Sequence, residues 1–124
     1  MNIDKLAQAI EVLTDMKALD GKIIEVGPYC SYADYFVVVS ATSTVHAQAM
    51  SSALRSLAHG SASPEGYNTG QWILNDLGDI VVHIFLQETR GYYQFDKLWS
   101  HAPTVAIDFT PGQHQDIHKQ VLSM

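Results

Sequence analysis

The sequence is poor in cysteine, in basic residues and in long apolar runs. Cys30 is the only cysteine among 124 residues, which excludes an internal disulfide and a cysteine-based metal site and is typical of a reducing compartment. No apolar run approaches the roughly 18 residues that a membrane span requires. The N-terminus, MNIDKLAQAIEVLTDM, lacks the basic start and apolar block of a signal peptide. We therefore expect a cytoplasmic protein without a membrane partner.

Basic residues are outnumbered by acidic ones. Seven Lys and Arg against thirteen Asp and Glu leave a net charge of −6 with neutral histidines. Such a chain is a poor candidate for binding DNA or RNA, because it cannot neutralise phosphates over a wide surface. A basic partner suits this charge better.

The first half of the chain contains clear helix and strand patterns. Apolar residues recur at three- and four-residue intervals from Ile3 to Met16 and predict a helix with one buried face. LDG (19–21) is interpreted as its end, and KIIEV (22–26) as a short strand. DYFVVVSA (34–41) is β-branched and aromatic on both faces, which predicts a central strand.

A second helix, a hairpin and a short helix are predicted next. Ser43 is placed to cap a helix whose apolar stripe runs from Val45 to Leu57 and which stops at Gly60. QWILN and DIVVHIF predict an antiparallel pair joined tightly through Asp76-Leu77-Gly78-Asp79. The next segment predicts a short helix, because it has three aromatic residues at helical spacing: Tyr92, Phe95 and Trp99. Gly91 weakens this helix.

These elements predict an α/β fold, a single-domain sandwich with a mixed β-sheet and flanking helices. A strand–helix–strand crossover gives a parallel pair and the tight turn gives an antiparallel one. We place the domain at residues 1–100 and interpret residues 101–124, which lose periodicity, as a flexible C-terminal tail. His114 and His118 could bind a metal if the tail were helical, but a solvated tail is favoured.

The acidic turn raises the question of an active site. Asp79 and His83 share one face of their strand but lie about 13 Å apart at strand rise, so one metal ion cannot bridge them. Acids at turn corners such as Asp76 more often bond their own backbone. We therefore favour His83 as a core or edge histidine with a hydrogen-bond partner over a catalytic or metal-binding one.

Two further features keep alternatives open. VVVSATS before a helix is a generic anion site, yet it lacks the glycine spacing and lysine of a P-loop, so a capped helix is favoured. Trp72 lies on a strand beside the acidic turn, with Tyr93 farther along the chain. An aromatic anchor with a charged rim is typical of an interface, but a plain core tryptophan is an equal alternative.

Four motifs together resemble one family. They are S-Y-A-D-Y-F-V-V-V-S-A-T-S (31–43), E-G…G-x-W (65–72), D-L-G-D-I-V-V-H-I-F (76–85) and E-T-R-x-Y-Y-x-F-x-K-L-W (88–99). Each is weak alone, but their order and spacing are specific. Over residues 3–100 the chain resembles the ribosomal silencing factors, also called Iojap-like proteins.

The resemblance implies a binding protein rather than an enzyme, with no cofactor. Family members dock on the L14-type protein of the large ribosomal subunit and block joining of the small subunit, which represses translation under nutrient limitation. Their fold is a mixed-sheet α/β sandwich related to nucleotidyltransferases, and a homodimer is left open. Carried onto this chain, the partner-binding residues are Trp72, Leu74, Asp76, Asp79, Tyr93 and Leu98.

The alternative is a nucleotidyltransferase-like enzyme or a nucleotide-binding protein, since the predicted sheet order resembles that class. Its chemistry needs converging carboxylates that hold metal ions beside a phosphate-binding turn. No Asp-x-Asp pair follows the Ser-Ala-Thr-Ser turn (40–43). We therefore rank this alternative below a silencing factor.

Overall fold

The structure is a computed structural model that describes residues 3–58, 60, 63–110 and 121. Its helices are α1 (Ile3–Asp15), α2 (Thr44–Ala53), α3 (Gln87–Tyr93) and α4 (Phe95–Leu98), with 3-10 turns at Gly27–Tyr29 and Arg55–Leu57. Its strands are β1 (Leu19–Glu25), β2 (Tyr35–Ala41), β3 (Trp72–Asp76), β4 (Ile80–Leu86) and β5 (Thr104–Ala106). The candidate tail ligands His114 and His118 lie outside the described residues.

The five strands form one mixed sheet in the order β3-β4-β2-β1-β5. β2 pairs parallel with β4, and the remaining pairs are antiparallel. β2 lies at the centre and all seven of its residues are buried, because both faces of the sheet are covered there. The predicted α/β class, mixed sheet and central strand are confirmed. None of the helices within the described ranges is long and apolar enough to span a membrane.

The two faces of the sheet carry separate hydrophobic clusters. Strand alternation points Ile80, Val82 and Ile84 of β4 toward one cluster, which α1 and α2 complete with residues such as Leu6 and Met50. On the other side of the sheet, Phe36 and Val38 of β2 and Val81 and Phe85 of β4 enter a second cluster that is rich in aromatic residues. We call this second side of the sheet the open face, because within the described ranges only α3, α4 and irregular segments pack on it.

α2 is capped as predicted but rotated from its predicted orientation. The Ser43 hydroxyl accepts the His46 N–H at 3.1 Å, which satisfies a free donor of the first turn. Val45, however, is 72% exposed, and α2 ends at Ala53 instead of continuing to Leu57. The buried residues of α2 are Ala47, Met50 and Ser51. Two of them are small, so the apolar periodicity of this helix is weak in the sequence.

The first strand starts earlier, and the sheet extends farther along the chain, than predicted. LDG (19–21) belongs to β1, where the register shifts between Leu19 and Lys22 and Asp20 has a φ of 50°. β5 pairs with β1 through Lys22↔Ala106 and Ile24↔Thr104. β5 therefore adds residues after position 100 to the sheet. Of the predicted tail, residues 111–120 and 122–124 lie outside the described part of the chain.

Gly21 is where the segment after β5 packs closely on β1. A Cβ at Gly21 would overlap the ring of Phe109 and lie 3.1 Å from Ile107 Cδ1. We expect Gly21→Ala to lower the free energy of unfolding by about 1–2 kcal/mol, because the ring must move away. Denaturant unfolding measures this, and the loss should vanish in a Phe109→Ala background. Equal losses in both backgrounds would contradict the explanation.

Gly91 provides the matched glycine control. It lies inside α3, and a Cβ there would meet no atom within 4 Å. Gly91→Ala should therefore raise the free energy of unfolding by about 0.5–1 kcal/mol, since alanine loses less backbone freedom in a helix.

Candidate docking surface

The β3–β4 hairpin positions the predicted partner-binding residues. Its strands pair with Trp72 opposite Phe85, Leu74 opposite His83 and Asp76 opposite Val81. The reversal is closed by the Leu77 N–H, which donates to the Ile80 carbonyl at 2.8 Å, and Gly78 has a φ of 96°. The predicted glycine turn is confirmed, but its centre is Gly78-Asp79, one residue later than predicted. His83 is therefore a diagonal neighbour of Trp72 across the hairpin.

Trp72 is half-buried on the open face. This burial is intermediate between an exposed interface anchor and a plain core tryptophan, the two alternatives that the sequence allowed. Its ring stacks on Phe85 with centroids 4.7 Å apart, and the Tyr93 ring lies 5.2 Å away. Its indole N–H donates to Nδ1 of His83 at 3.1 Å. Trp72 is thus anchored by specific contacts, yet the residue keeps some accessible surface.

His83 is a core histidine with a hydrogen-bond partner, as predicted. It is 4% exposed, and the Phe36 and Phe95 rings lie 4.5 and 4.9 Å from its own. Burial lowers its pKa to about 4, so the ring is neutral at neutral pH. Among the residues described, no three His, Cys, Asp or Glu side chains group in a way that could hold a metal ion.

Asp76 and Asp79 occupy the exposed end of the hairpin. Asp76 Oδ1 accepts the Gly78 N–H at 2.8 Å, which confirms that this acid bonds its own turn. Trp72, Leu74 and Asp76 alternate onto one side of β3, while Ile73 between them is buried. Asp76 stands four residues from Trp72, or about 13 Å at strand rise. The acids therefore lie at the far end of the surface and do not surround the indole.

The segment after the hairpin forms two short helices instead of one. Gln94 adopts a φ of 51° and ends α3, so Tyr92 is 81% exposed whereas Phe95 is buried in the open-face cluster. The predicted common stripe of Tyr92, Phe95 and Trp99 is wrong. Tyr93 and Leu98 are 55% and 66% exposed. Tyr93 lies on α3 beside Trp72, and Leu98 lies on α4, whose Phe95 packs on the open face.

Arg90 anchors α3, and the sequence interpretation missed this role. The side chain is buried, and its Nη1 donates to the Asp20 carbonyl at 2.7 Å and to the Ser40 hydroxyl at 2.8 Å. Nε and Nη2 donate to Asp96 Oδ1 at 3.3 and 3.1 Å. Lys22 also reaches Asp96, at 3.5 Å. The arginine of the E-T-R motif was the only sequence feature that could have indicated this anchor. The sequence could not show its partners Asp20 and Ser40, because they are 70 and 50 positions away.

The turn between β2 and α2 uses its own donors internally. The Thr42 N–H donates to Nδ1 of His46 at 3.0 Å, and the His46 N–H donates to the Ser43 hydroxyl at 3.1 Å. Nε2 of His46 contacts the Met16 carbonyl at 2.7 Å, which ties this turn to the end of α1. The capped-helix interpretation accounts for both N–H groups without a phosphate ligand.

Comparisons with known proteins agree with the motif order. A family model described as "Ribosomal silencing factor during starvation" matches residues 1–122. Proteins named ribosomal silencing factor RsfS from Halalkalibacterium halodurans and Bacillus subtilis are each 33% identical. The first match covers 86% of this chain and 95% of the relative, and the second covers 80% and 87%.

The fold comparison gives the same result. A crystal structure of a protein from Chromobacterium violaceum superposes with a TM-score of 0.71 at 30% identity. The match covers 81% of this chain and 88% of that one. The family match spans nearly the whole chain and includes the residues after position 100 that the motif comparison left out. This chain belongs to the ribosomal silencing factor family.

Proposed function

We propose that this protein docks through the open face on the L14-type protein of the large ribosomal subunit and blocks joining of the small subunit. The observation that carries the proposal is the position of Trp72. Its ring is held by Phe85 and His83, yet the residue is only half-buried, and the ring of the exposed Tyr93 lies 5.2 Å away. Anchored aromatic residues with accessible surface are typical of the energetic centre of an interface.

The charge along the hairpin supports a basic partner. The aromatic end of the surface carries Trp72 and Tyr93, and the turn end carries the exposed acids Asp76 and Asp79. With a net charge of −6, the chain attracts a basic ribosomal protein over some distance, and the acids add orientation during encounter. Leu74 lies between the two ends and gives the surface an apolar middle.

The proposed action is steric exclusion in the cytoplasm, without catalysis or a cofactor. Occupying the intersubunit face of the large subunit is sufficient to prevent subunit joining. The family description names starvation, which supports repression of translation when nutrients are limiting. A homodimer stays a prediction, and docking by one copy does not require it. DNA and membranes have no part in the proposal.

Leu98→Lys tests the proposal with a closely matched control. Leu98 and Val45 are both exposed aliphatic residues on helices, at 66% and 72%, but Val45 lies on α2 on the opposite side of the sheet. We expect Leu98→Lys to weaken binding to purified large subunits by about 10-fold, through lost apolar contact and repulsion from a basic partner. Val45→Lys, with the same charge change, should bind like the unmodified protein.

Cosedimentation with large subunits measures the binding, and small subunits added afterwards measure the block. The unmodified protein and Val45→Lys should prevent formation of joined ribosomes, and Leu98→Lys should need a higher concentration. Folded protein that fails to cosediment, or equal binding by both lysine variants, would contradict docking through the open face.

A further inference from the structure

The indole of Trp72 is fixed by a hydrogen bond as well as by stacking. Stacking on Phe85 holds the plane of the ring. A tryptophan side chain can also turn about its second torsion, whose preference is broad and roughly two-fold, so stacking alone does not decide which edge faces inward. The bond from the indole N–H to Nδ1 of His83, at 3.1 Å, selects one of these arrangements.

The bond also determines the proton positions on His83. Indole N–H is only a donor, so Nδ1 must be the unprotonated nitrogen of the ring. A neutral imidazole then carries its proton on Nε2, which is buried and has no hydrogen-bond partner among the described residues. Nearby aromatic rings, Phe36 and Phe95, surround the imidazole at 4.5 and 4.9 Å. An N–H facing aromatic rings keeps only a weak interaction in place of a full hydrogen bond.

A buried donor without a full partner costs free energy, and an apolar residue in its place would avoid that cost. Leucine or phenylalanine would fit the surrounding cluster of aromatic and aliphatic side chains by chemical type. Within the described part of the chain, the hydrogen bond that histidine adds here is its acceptance of the Trp72 indole N–H. This contact joins a core residue to the half-buried Trp72.

We propose that His83 is a positioning residue for docking, which holds the Trp72 indole in the orientation that the partner contacts. This inference rests on the proposed function of the open face. It also specifies the chemistry of the contact. Because the only polar hydrogen of the indole is used inside the protein, the Trp72 side chain offers the partner no hydrogen bond. The partner therefore meets Trp72 through apolar packing or through a cation on its ring.

The hold of His83 on the indole is tested by NMR without any ribosome. The chain has two tryptophans, and Trp72→Phe assigns their indole signals. In the unmodified protein the Trp72 indole N–H should exchange slowly with solvent. His83→Leu removes the acceptor and should speed the exchange by about 10-fold or more. His83→Asn places an amide oxygen near the former Nδ1 and should restore most of the protection.

Binding to large subunits tests the effect on docking. We expect His83→Leu to weaken binding by about 5- to 10-fold, as the loss of one orienting hydrogen bond implies, and His83→Asn to bind within about twofold of the unmodified protein. In a Trp72→Phe background, His83→Leu should cause no further loss, because the two residues act through one contact. Thermal unfolding of every variant shows whether the domain is folded.

The outcomes separate this inference from the proposed function. Unchanged binding by folded His83→Leu, or an equal loss in the Trp72→Phe background, would overturn the positioning role. Fast indole exchange in the unmodified protein would overturn it as well. If the unmodified protein does not bind large subunits, the proposed function fails and the docking role of His83 fails with it. In that case the indole signal still decides whether His83 fixes Trp72.

Discussion

Trp72→Ala is expected to weaken binding to the large ribosomal subunit by about 30- to 1,000-fold, the loss typical of a central aromatic anchor. The substitution removes the largest side chain of the predicted docking surface together with its stacking on Phe85. It also leaves Nδ1 of His83 without its donor. Because Trp72 is half-buried on an edge strand, the domain should stay folded with a moderate loss of stability.

Tyr67→Ala is the matched control for this experiment. Tyr67 is also a partly buried aromatic residue, but it packs against the cluster that contains α1 and α2. Its removal should lower the melting temperature and leave binding unchanged. Cosedimentation across a range of large-subunit concentrations measures both variants. A folded Trp72→Ala protein that binds as tightly as Tyr67→Ala would rule out the open face as the docking surface.

Acid should destabilise the protein through His83, by about 3 kcal/mol between pH 6.5 and pH 4. Burial lowers the folded pKa of His83 from 6.5 to about 4. Below pH 6.5 the unfolded chain therefore binds a proton at this residue that the folded chain does not bind. The contribution of neutral His83 is complete well above pH 6.5, is lost progressively as the pH falls toward 4, and stops changing below pH 4.

Comparison with His83→Asn isolates this effect from the titration of the carboxylates. The rings that contact His83 belong to Phe36, Trp72, Phe85 and Phe95, none of which titrates in this range. Denaturant unfolding from pH 7 to pH 4 should give a shallower decline for His83→Asn than for the unmodified protein. Parallel declines would show that His83 does not titrate as its burial implies.

Elements defined by local chemistry were predictable from the sequence. The unbroken β-branched and aromatic run of β2 indicated a strand covered on both faces, and Ser43 indicated a helix start through its hydroxyl. Gly78 indicated a reversal that needs a positive φ. In each case the determining contacts lie within a few residues, so the pattern in the chain contains the information.

Features that depend on distant partners were not predictable in the same way. β5 is a short, largely exposed segment that becomes a strand because β1 offers it an edge. The buried face of α2 includes Ser51 because its hydroxyl meets the amide of Asn75, at 2.6 Å, on β3. The break between α3 and α4 falls at Gln94, a residue type that gives no warning of a left-handed conformation.

The predicted docking surface likewise has a part that local strand geometry predicted and a part that it did not. Its hairpin residues alternate onto one side as strand geometry requires, and the resemblance supplied Tyr93 and Leu98 without a geometric reason. The diagonal bond between Trp72 and His83 follows from the position of the turn, whose two central residues are Gly78 and Asp79. An equally tight turn centred on Leu77-Gly78, one residue earlier, would have placed Trp72 and His83 directly opposite each other.

The contacts of Arg90 bear on the stage of folding at which the predicted docking surface is complete. Its guanidinium joins α3 to Asp20 and Ser40, which are 70 and 50 positions away in sequence. Contacts over such separations form only after the intervening chain has been brought together, at a cost in loop-closure entropy. A chain still emerging from the ribosome therefore lacks the α3 anchor until β1, β2 and the hairpin have assembled. Newly made copies therefore gain the complete predicted docking surface only late in folding, after these distant segments have met.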